Sequence, residues 1–199
     1  MAVDSKLVKE LREMTGAGIL DCKNALEASE SDLNKAVDYL RKRNQAVAVK
    51  KMNREAKDGK VGVYMHGEGR IGVIVEVNSE TDFVARSDAF QAFVKEMCLQ
   101  ITSMNPKYMR PEDIPAEDIA HQKEIFLGQM AEMNKPIEVK EKIIEGKLAK
   151  WFTEVCLMEQ AYCRDDSKKI KELLTDVVGR CGENIRIRRF ARFELGEGL

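Results

Sequence analysis

The stretch Asn78-Ser79-Glu80-Thr81-Asp82-Phe83-Val84-Ala85-Arg86 decides how the rest of the chain is read. The residues before it, Ile71 to Val77, read as a β-strand, and those after it, Ser87 to Thr102, read as a helix. A strand that feeds a helix through a short polar turn sets a few side chains on a projecting corner. This corner carries a hydroxyl, an acid and an aromatic ring in succession. Phe83 is the unexpected member, because turns favour small polar residues. Two readings are open: a hydrophobic staple that folds back to close the helix start onto the core, or an exposed wedge that a partner accommodates. The local pattern by itself favours the staple.

Upstream of the corner, Val61, Val63 and Met65 alternate with Gly62, Tyr64 and His66, and Ile71, Val73, Val75 and Val77 alternate with Gly72, Ile74 and Glu76. With Gly67-Glu68-Gly69 as the turn, this is an antiparallel hairpin. A third strand is expected from Asn184 to Leu195, with Ile185, Ile187, Phe193 and Leu195 on one face and Arg186, Arg188, Phe190 and Arg192 on the other. Tyr64 and Ile74 spoil the second face of the hairpin, which predicts that a second subunit covers it.

Further upstream, residues 5–14 place Leu7, Leu11 and Met14 on one helical face. Gly16 is suited to end that helix in the left-handed conformation. Ile19 to Ala28 forms a second helix with Cys22, Ala25, Leu26 and Ser29 inward. Ser31 is the expected N-cap of a third, whose Leu33, Ala36, Val37 and Leu40 recur at helical spacing. Three short helices make a small bundle with a thin core, the usual form of a docking module. The basic run from Arg41 to Lys60 continues as a helical linker. It suits an acidic partner or RNA, or equally a solvated face, because no aromatic residues are interleaved for base stacking.

Downstream of the corner, Phe90, Phe93, Val94, Met97 and Ile101 form the stripe that should cover the sheet. After the proline-punctuated connector Pro106 to Pro115, Ile119, Phe126, Met130 and Met133 are followed by a reversal at Asn134-Lys135-Pro136. Ile144, Leu148, Trp151, Val155, Met158 and Tyr162 then give a second heptad-like stripe. The pair reads as an antiparallel helical hairpin over 116–162, a small coiled coil. A last helix is expected from Ser167 to Val178. The fold class is therefore α+β: a three-helix bundle with its basic helical linker (1–55), then a core and dimerisation domain (56–199) of three antiparallel strands packed with helices.

Composition narrows the function. Lysine and arginine nearly balance aspartate and glutamate, for a net charge of −1. This argues against a general nucleic-acid binder. No apolar run is long enough to span a bilayer, and the first residues lack a secretory pattern. Five scattered cysteines (22, 98, 156, 163 and 181) with no Cys-x-x-Cys read as buried hydrophobes in a reducing cytosol. With only His66 and His121 available, zinc has no ligand set, no P-loop is present, and neither histidine has a nucleophile to serve. No enzyme site, metal or cofactor is expected; the chain reads as a binding protein.

Two segments carry a specific resemblance: Leu11-Arg12-Glu13-Met14-Thr15-Gly16-Ala17-Gly18-Ile19-Leu20-Asp21-Cys22-Lys23 and Thr81-Asp82-Phe83-Val84-Ala85-Arg86. Both resemble the signatures of bacterial elongation factor Ts. The segment Glu145-Gly146-Lys147-Leu148 with Trp151-Phe152, and the tail Arg192 to Gly198, are similar to further blocks of that family, so the likeness runs nearly end to end. It implies a cytoplasmic guanine-nucleotide exchange factor for elongation factor Tu, whose N-terminal bundle, similar to ubiquitin-associated domains, grips the GTP-binding domain of the partner. It implies that Thr81, Asp82, Phe83 and Val84 act at the magnesium and phosphate region, with Phe83 as the intruding ring, which moves the reading of that residue toward the wedge. Lys23 and Lys51 match family positions near the partner. Longer members carry two copies of the core half where this chain has one, so a homodimer and a two-to-two complex are expected, with no membrane and no direct nucleic-acid contact. The alternatives are a ubiquitin-associated-like adaptor without exchange activity and an RNA-binding accessory using Arg41 to Lys60 and the arginines of the last strand.

Overall fold

The computed structural model describes residues 3–130 and 136–198. Among these are eight α-helices, a three-stranded antiparallel sheet and a two-stranded ribbon. The chain divides into two compact units. One comprises Met1–Val63, Ile74–Met97 and Glu172–Phe190; the other comprises Tyr64–Val73, Cys98–Lys171 and Ala191–Leu199.

The first unit begins with the helical bundle, α1 (Ser5–Thr15), α2 (Ile19–Ala28) and α3 (Leu33–Lys51). Asp4 caps α1 by accepting from the Lys6 N–H, and Gly16 ends it at φ +65°, where any other residue would be strained. Leu11, Cys22, Ala25, Leu26, Ala36 and Leu40 form the core, with Leu7, Leu33 and Val37 packed against it. Met14 is exposed rather than buried. The third helix is capped by Asp32, whose carboxylate accepts from the Lys35 N–H, and not by Ser31. Glu30 and Ser31 both take left-handed backbone, and this reversal moves the helix start one residue on. The basic run is helical only as far as Lys51; residues 52–57 are irregular and lead into a strand.

The sheet is built from β1 (Asp58–His66), β2 (Ile71–Ser79) and β5 (Arg186–Glu194), in the order β1-β2-β5. Val73, Val75 and Val77 are buried as the alternation requires, but Val61, Val63 and Met65 face solvent. The reason is the parity of the turn. Gly67, Glu68 and Gly69 take successive left-handed conformations, and the Arg70 N–H donates to the Gly67 carbonyl. A four-residue turn pairs His66 with Ile71, so odd positions of β1 share a face with even positions of β2. Met65 accordingly lies against Gly72, and Tyr64 rather than Val63 turns inward.

The expected faces of the last strand also fail beyond its midpoint. Ile187 is buried, whereas Phe193 and Leu195 are exposed. The neighbours Arg188 and Arg189 both reach Glu76, at 2.8 and 2.7 Å, so the alternation slips by one residue there, as it does at a β-bulge. These two arginines hold the Glu76 carboxyl down at about 2. A carboxylate whose pKa is lowered on folding contributes stability that is complete above its ordinary value of 4.5 and is lost as pH falls through about 2. Glu76→Gln is therefore expected to flatten the fall in melting temperature between those two pH values. A curve that superimposes on wild type would refute this.

The helix expected over Ser87–Thr102 is α5 (Asp88–Met104), and the polar turn before it contains a further single helical turn, α4 (Asp82–Ala85). Phe90, Phe93, Val94, Met97 and Ile101 are all buried along α5. In the second unit, α6 (Ala116–Gly128) and α7 (Ile137–Val155) pack through Met130, Ile144 and Leu148, flanked by Phe126 and Trp151. The expected reversal at Asn134-Lys135-Pro136, and Met133, lie outside the described residues except for Pro136. The second stripe ends at Val155. Met158 stands in a 3-10 turn, and Tyr162 in a strand that pattern alone did not reveal, β3 (Ala161–Tyr162), paired with β4 (Asp165–Lys169). Buried Gln100 and Gln160 brace this ribbon: the Gln100 amide donates to the Gln160 side chain and the Ala161 carbonyl, and the Cys163 N–H donates back to Gln100.

The last helix, α8 (Ile170–Cys181), starts three residues later than expected because Ser167–Lys169 belong to β4. It carries Gly179 inside it rather than beyond it; in the first unit a side chain there would run into Asn44 of α3. Cys22, Cys98 and Cys156 are buried, Cys181 is partly so, and Cys163 is exposed, against the expectation of uniform burial. Burial pushes the Cys156 thiol up to about 11 and raises those of Cys22 and Cys181, which keeps them unreactive.

Candidate functional site

The corner that follows β2 is a one-turn helix held at both ends. A helix this short has no stability of its own, so every restraint comes from outside it. At its start Thr81 is the N-cap, with its Oγ1 accepting from the Val84 N–H at 3.3 Å. The same hydroxyl donates to Glu183 Oε1 at 2.7 Å, and the Thr81 N–H donates to Glu183 Oε2 at 3.0 Å. Both oxygens of one carboxylate are thus spent on a single residue.

The reciprocal contact lies one residue to each side. Glu80 Oε1 accepts from the Asn184 N–H at 2.6 Å, and Arg54 reaches Glu80 Oε2 at 3.4 Å. The Asn184 N–H, with Arg54 beside it, holds the Glu80 carboxyl below its usual range. At the far end of α4 the Ser87 hydroxyl donates to the Val84 carbonyl, and the Gln91 amide donates to that of Ala85.

These restraints sort the four expected site residues into two kinds. Val84 is buried and anchors the turn, and Thr81 is engaged as cap and clamp. Asp82 and Phe83 project. Asp82 pairs with Arg86 at 2.5 Å on the exposed side of the turn. Phe83 is 81% exposed. Its ring does not fold back onto the core, so the staple reading does not hold. An aromatic ring left in water at a braced corner costs hydration free energy and contributes nothing to the fold that holds it.

Lys51 and Lys23 lie in different surroundings. The Lys51 ammonium donates to the Gly182 carbonyl, and the Asn184 amide donates to the carbonyls of Met52 and Arg54. The end of α3 and the corner are therefore both tied to residues 182–184. Lys23 stands on α2, pairs with Glu27 at 3.9 Å, and lines a groove with Val3, Val8, Lys9, Arg12 and Ile19. Glu183 and Asn184 were missed in the sequence. They sit about a hundred residues from the corner, and a Gly-Glu-Asn turn before a strand gives no local sign of what it holds.

Among the described residues no group of three or more His, Cys, Asp or Glu side chains is placed to hold a metal ion, and no helix is long and apolar enough to cross a membrane. The fold and the site define an α+β protein with an N-terminal helical bundle and a braced, ring-bearing corner. The family model described as Elongation factor TS matches residues 5–197. The elongation factor Ts of Caldanaerobacter subterraneus subsp. tengcongensis is 52% identical over 197 residues, covering 99% of this chain and 98% of the relative. That of Thermotoga neapolitana is 52% identical over 197 residues, covering 99% of each, and that of Geobacter sulfurreducens is 50% identical over 199 residues, covering 100% and 92%. The chain belongs to the elongation factor Ts family, and is a translation elongation factor.

Proposed function

We propose that the chain is a guanine-nucleotide exchange factor for elongation factor Tu, acting in the cytoplasm and making no covalent change in its partner. The observation that carries this reading is Phe83, an exposed ring on a turn clamped at both ends. A GTPase holds GDP largely through phosphate contacts and a bridging magnesium ion. A rigid wedge that displaces the loops organising that ion weakens GDP binding. By linkage, bound GDP weakens the wedge's binding by the same factor. Rigidity matters because a mobile ring would lose ordering entropy on insertion and spend part of the binding free energy on itself. The groove lined by Val3, Val8 and Ile19 with Lys9, Arg12 and Lys23 suits an amphipathic, acidic helix, and gives the bundle its part in gripping the partner.

The working form in this reading is a homodimer, forming a two-to-two complex with elongation factor Tu. Val61, Val63, Met65, Ile74, Phe193 and Leu195 are exposed apolar residues of the sheet and its edge. The half-buried Tyr64 and Phe190 take less part than the sequence pattern suggested. A second copy supplies the matching apolar face without any further partner. RNA binding through the last strand is disfavoured, since Arg188 and Arg189 are held by Glu76 and Arg192 by Glu194.

The deciding experiment follows dissociation of fluorescent GDP from elongation factor Tu. Added chain is expected to accelerate release in a saturable way. Binding without acceleration would leave an adaptor, and steeply salt-dependent RNA affinity without acceleration would leave an RNA accessory.

A further inference from the structure

We infer that Glu183 is the positioning residue of the exchange corner: by bonding both the N–H and the hydroxyl of Thr81, it sets the angle at which α4 presents Phe83. The inference rests on the exchange reading above and adds to it a residue remote in sequence that does not itself project from the corner.

Three observations carry it. The first is valence. Thr81 offers two donors, and Glu183 takes one on each oxygen, at 3.0 and 2.7 Å. A bidentate contact fixes orientation as well as distance, which a single bond would leave free to swivel. The second is reciprocity. Glu80 and Asn184, the flanking residues, make the converse bond at 2.6 Å, so two adjacent pairs cross between segments about a hundred residues apart. Such a cross-brace resists twisting as well as separation.

The third is the weakness of what remains without it. The turn is four residues long, and only Val84 and Ala85 are buried. The rear bonds from Ser87 and Gln91 hold the carbonyl end but not the end that bears the cap. Without Glu183 the Thr81 hydroxyl keeps its cap bond to the Val84 N–H, so the turn persists while its tilt is released. Glu183 therefore acts on where the ring points, and only secondarily on whether the chain folds.

The test titrates full-length wild type, Glu183→Ala and Glu183→Gln into elongation factor Tu loaded with fluorescent GDP. It reads the release rate at saturation and the concentration that gives half of it, with melting temperature measured alongside. Glu183→Ala is expected to lower the saturating rate about tenfold and to move the half-saturating concentration by less than about twofold, since the groove on the bundle is untouched. Glu183→Gln keeps the shape and one acceptor and should recover part of the rate. In a Phe83→Ala background Glu183→Ala should change nothing more, because no ring remains to be aimed.

A purely structural role gives a different pattern: a lower melting temperature with the saturating rate intact, or losses that add in the double variant. Either result overturns the inference. If wild type accelerates release, Phe83→Ala does not, and Glu183→Ala is unimpaired, the inference fails and the exchange reading stands. Wild type without acceleration overturns both. Should Glu183→Ala fail to fold, Glu183→Gln, which keeps the side-chain shape and leaves the Thr81 cap bond to the Val84 N–H intact, carries the same comparison at reduced size.

Discussion

Phe83→Ala is expected to reduce the acceleration of GDP release about thirtyfold while leaving the fold untouched. The two halves of this result have one cause. Because the ring is 81% exposed, its removal forfeits almost no buried surface, and an exposed substitution of this kind changes stability by less than about 0.5 kcal/mol. Truncating an aromatic anchor that enters a partner's pocket costs about 2 kcal/mol or more, which is about thirtyfold in an equilibrium or a rate. Linkage adds a second readout: affinity for nucleotide-free elongation factor Tu should fall together with the exchange rate, while affinity for the GDP-bound form changes less. The measurements are stopped-flow release of labelled GDP and calorimetric binding to each nucleotide state, with a melting curve as control. A variant that exchanges like wild type would show that the corner does not act through its ring. A variant that melts well below wild type would show that the ring supports the fold after all.

Val63→Glu is expected to convert a dimer into a folded monomer. Val63 is 64% exposed in the single chain, between Val61 and Met65 on the outward face of β1, with Ile74 across from it. A carboxylate there is solvated in the monomer and costs the single chain little. In a two-fold interface the substitution appears twice, and each copy buries a charge with no partner. At several kcal/mol per uncompensated charge, association should weaken by at least about a thousandfold. Sedimentation equilibrium at micromolar concentration separates the outcomes. Wild type at the dimer mass and Val63→Glu at the monomer mass, both with native circular dichroism, is the expected result. A dimeric variant would place the interface elsewhere, and a monomeric wild type would remove the homodimer from the account.

The helical bundle was legible because its signals are local. Apolar residues three and four apart and a glycine after the first helix act within one turn of the residues they organise. Two details there differ: Met14 is exposed, and the third helix is capped by Asp32 rather than Ser31, a shift of a single residue caused by the left-handed pair Glu30 and Ser31. The hairpin shows the opposite case. Both strands and their turn are evident in the sequence, yet Tyr64 and Ile74, read there as sharing a face, lie on opposite ones, since period two fixes two faces but not which face meets which across the turn. One residue of parity exchanges Val63 for Tyr64. The slip at Arg188–Arg189 repeats the lesson on the last strand, where Glu76 on a neighbouring strand, and no property of the arginines themselves, draws both side chains to one place.

The amino-acid order alone settled the α+β class, the chain position of each long element and the family, because helical and strand periodicity and contiguous motifs are short-range properties. It also brought Thr81, Asp82, Phe83 and Val84 forward as a group. Only the folded chain divided that group into a buried anchor, a clamped cap and two projecting side chains. Likewise only the folded chain brought Glu183 to Thr81 and Asn184 to Glu80. Which face of a strand is wet, and which acid holds a corner, depend on pairings between residues far apart in the chain, and those exist only once the chain has closed on itself.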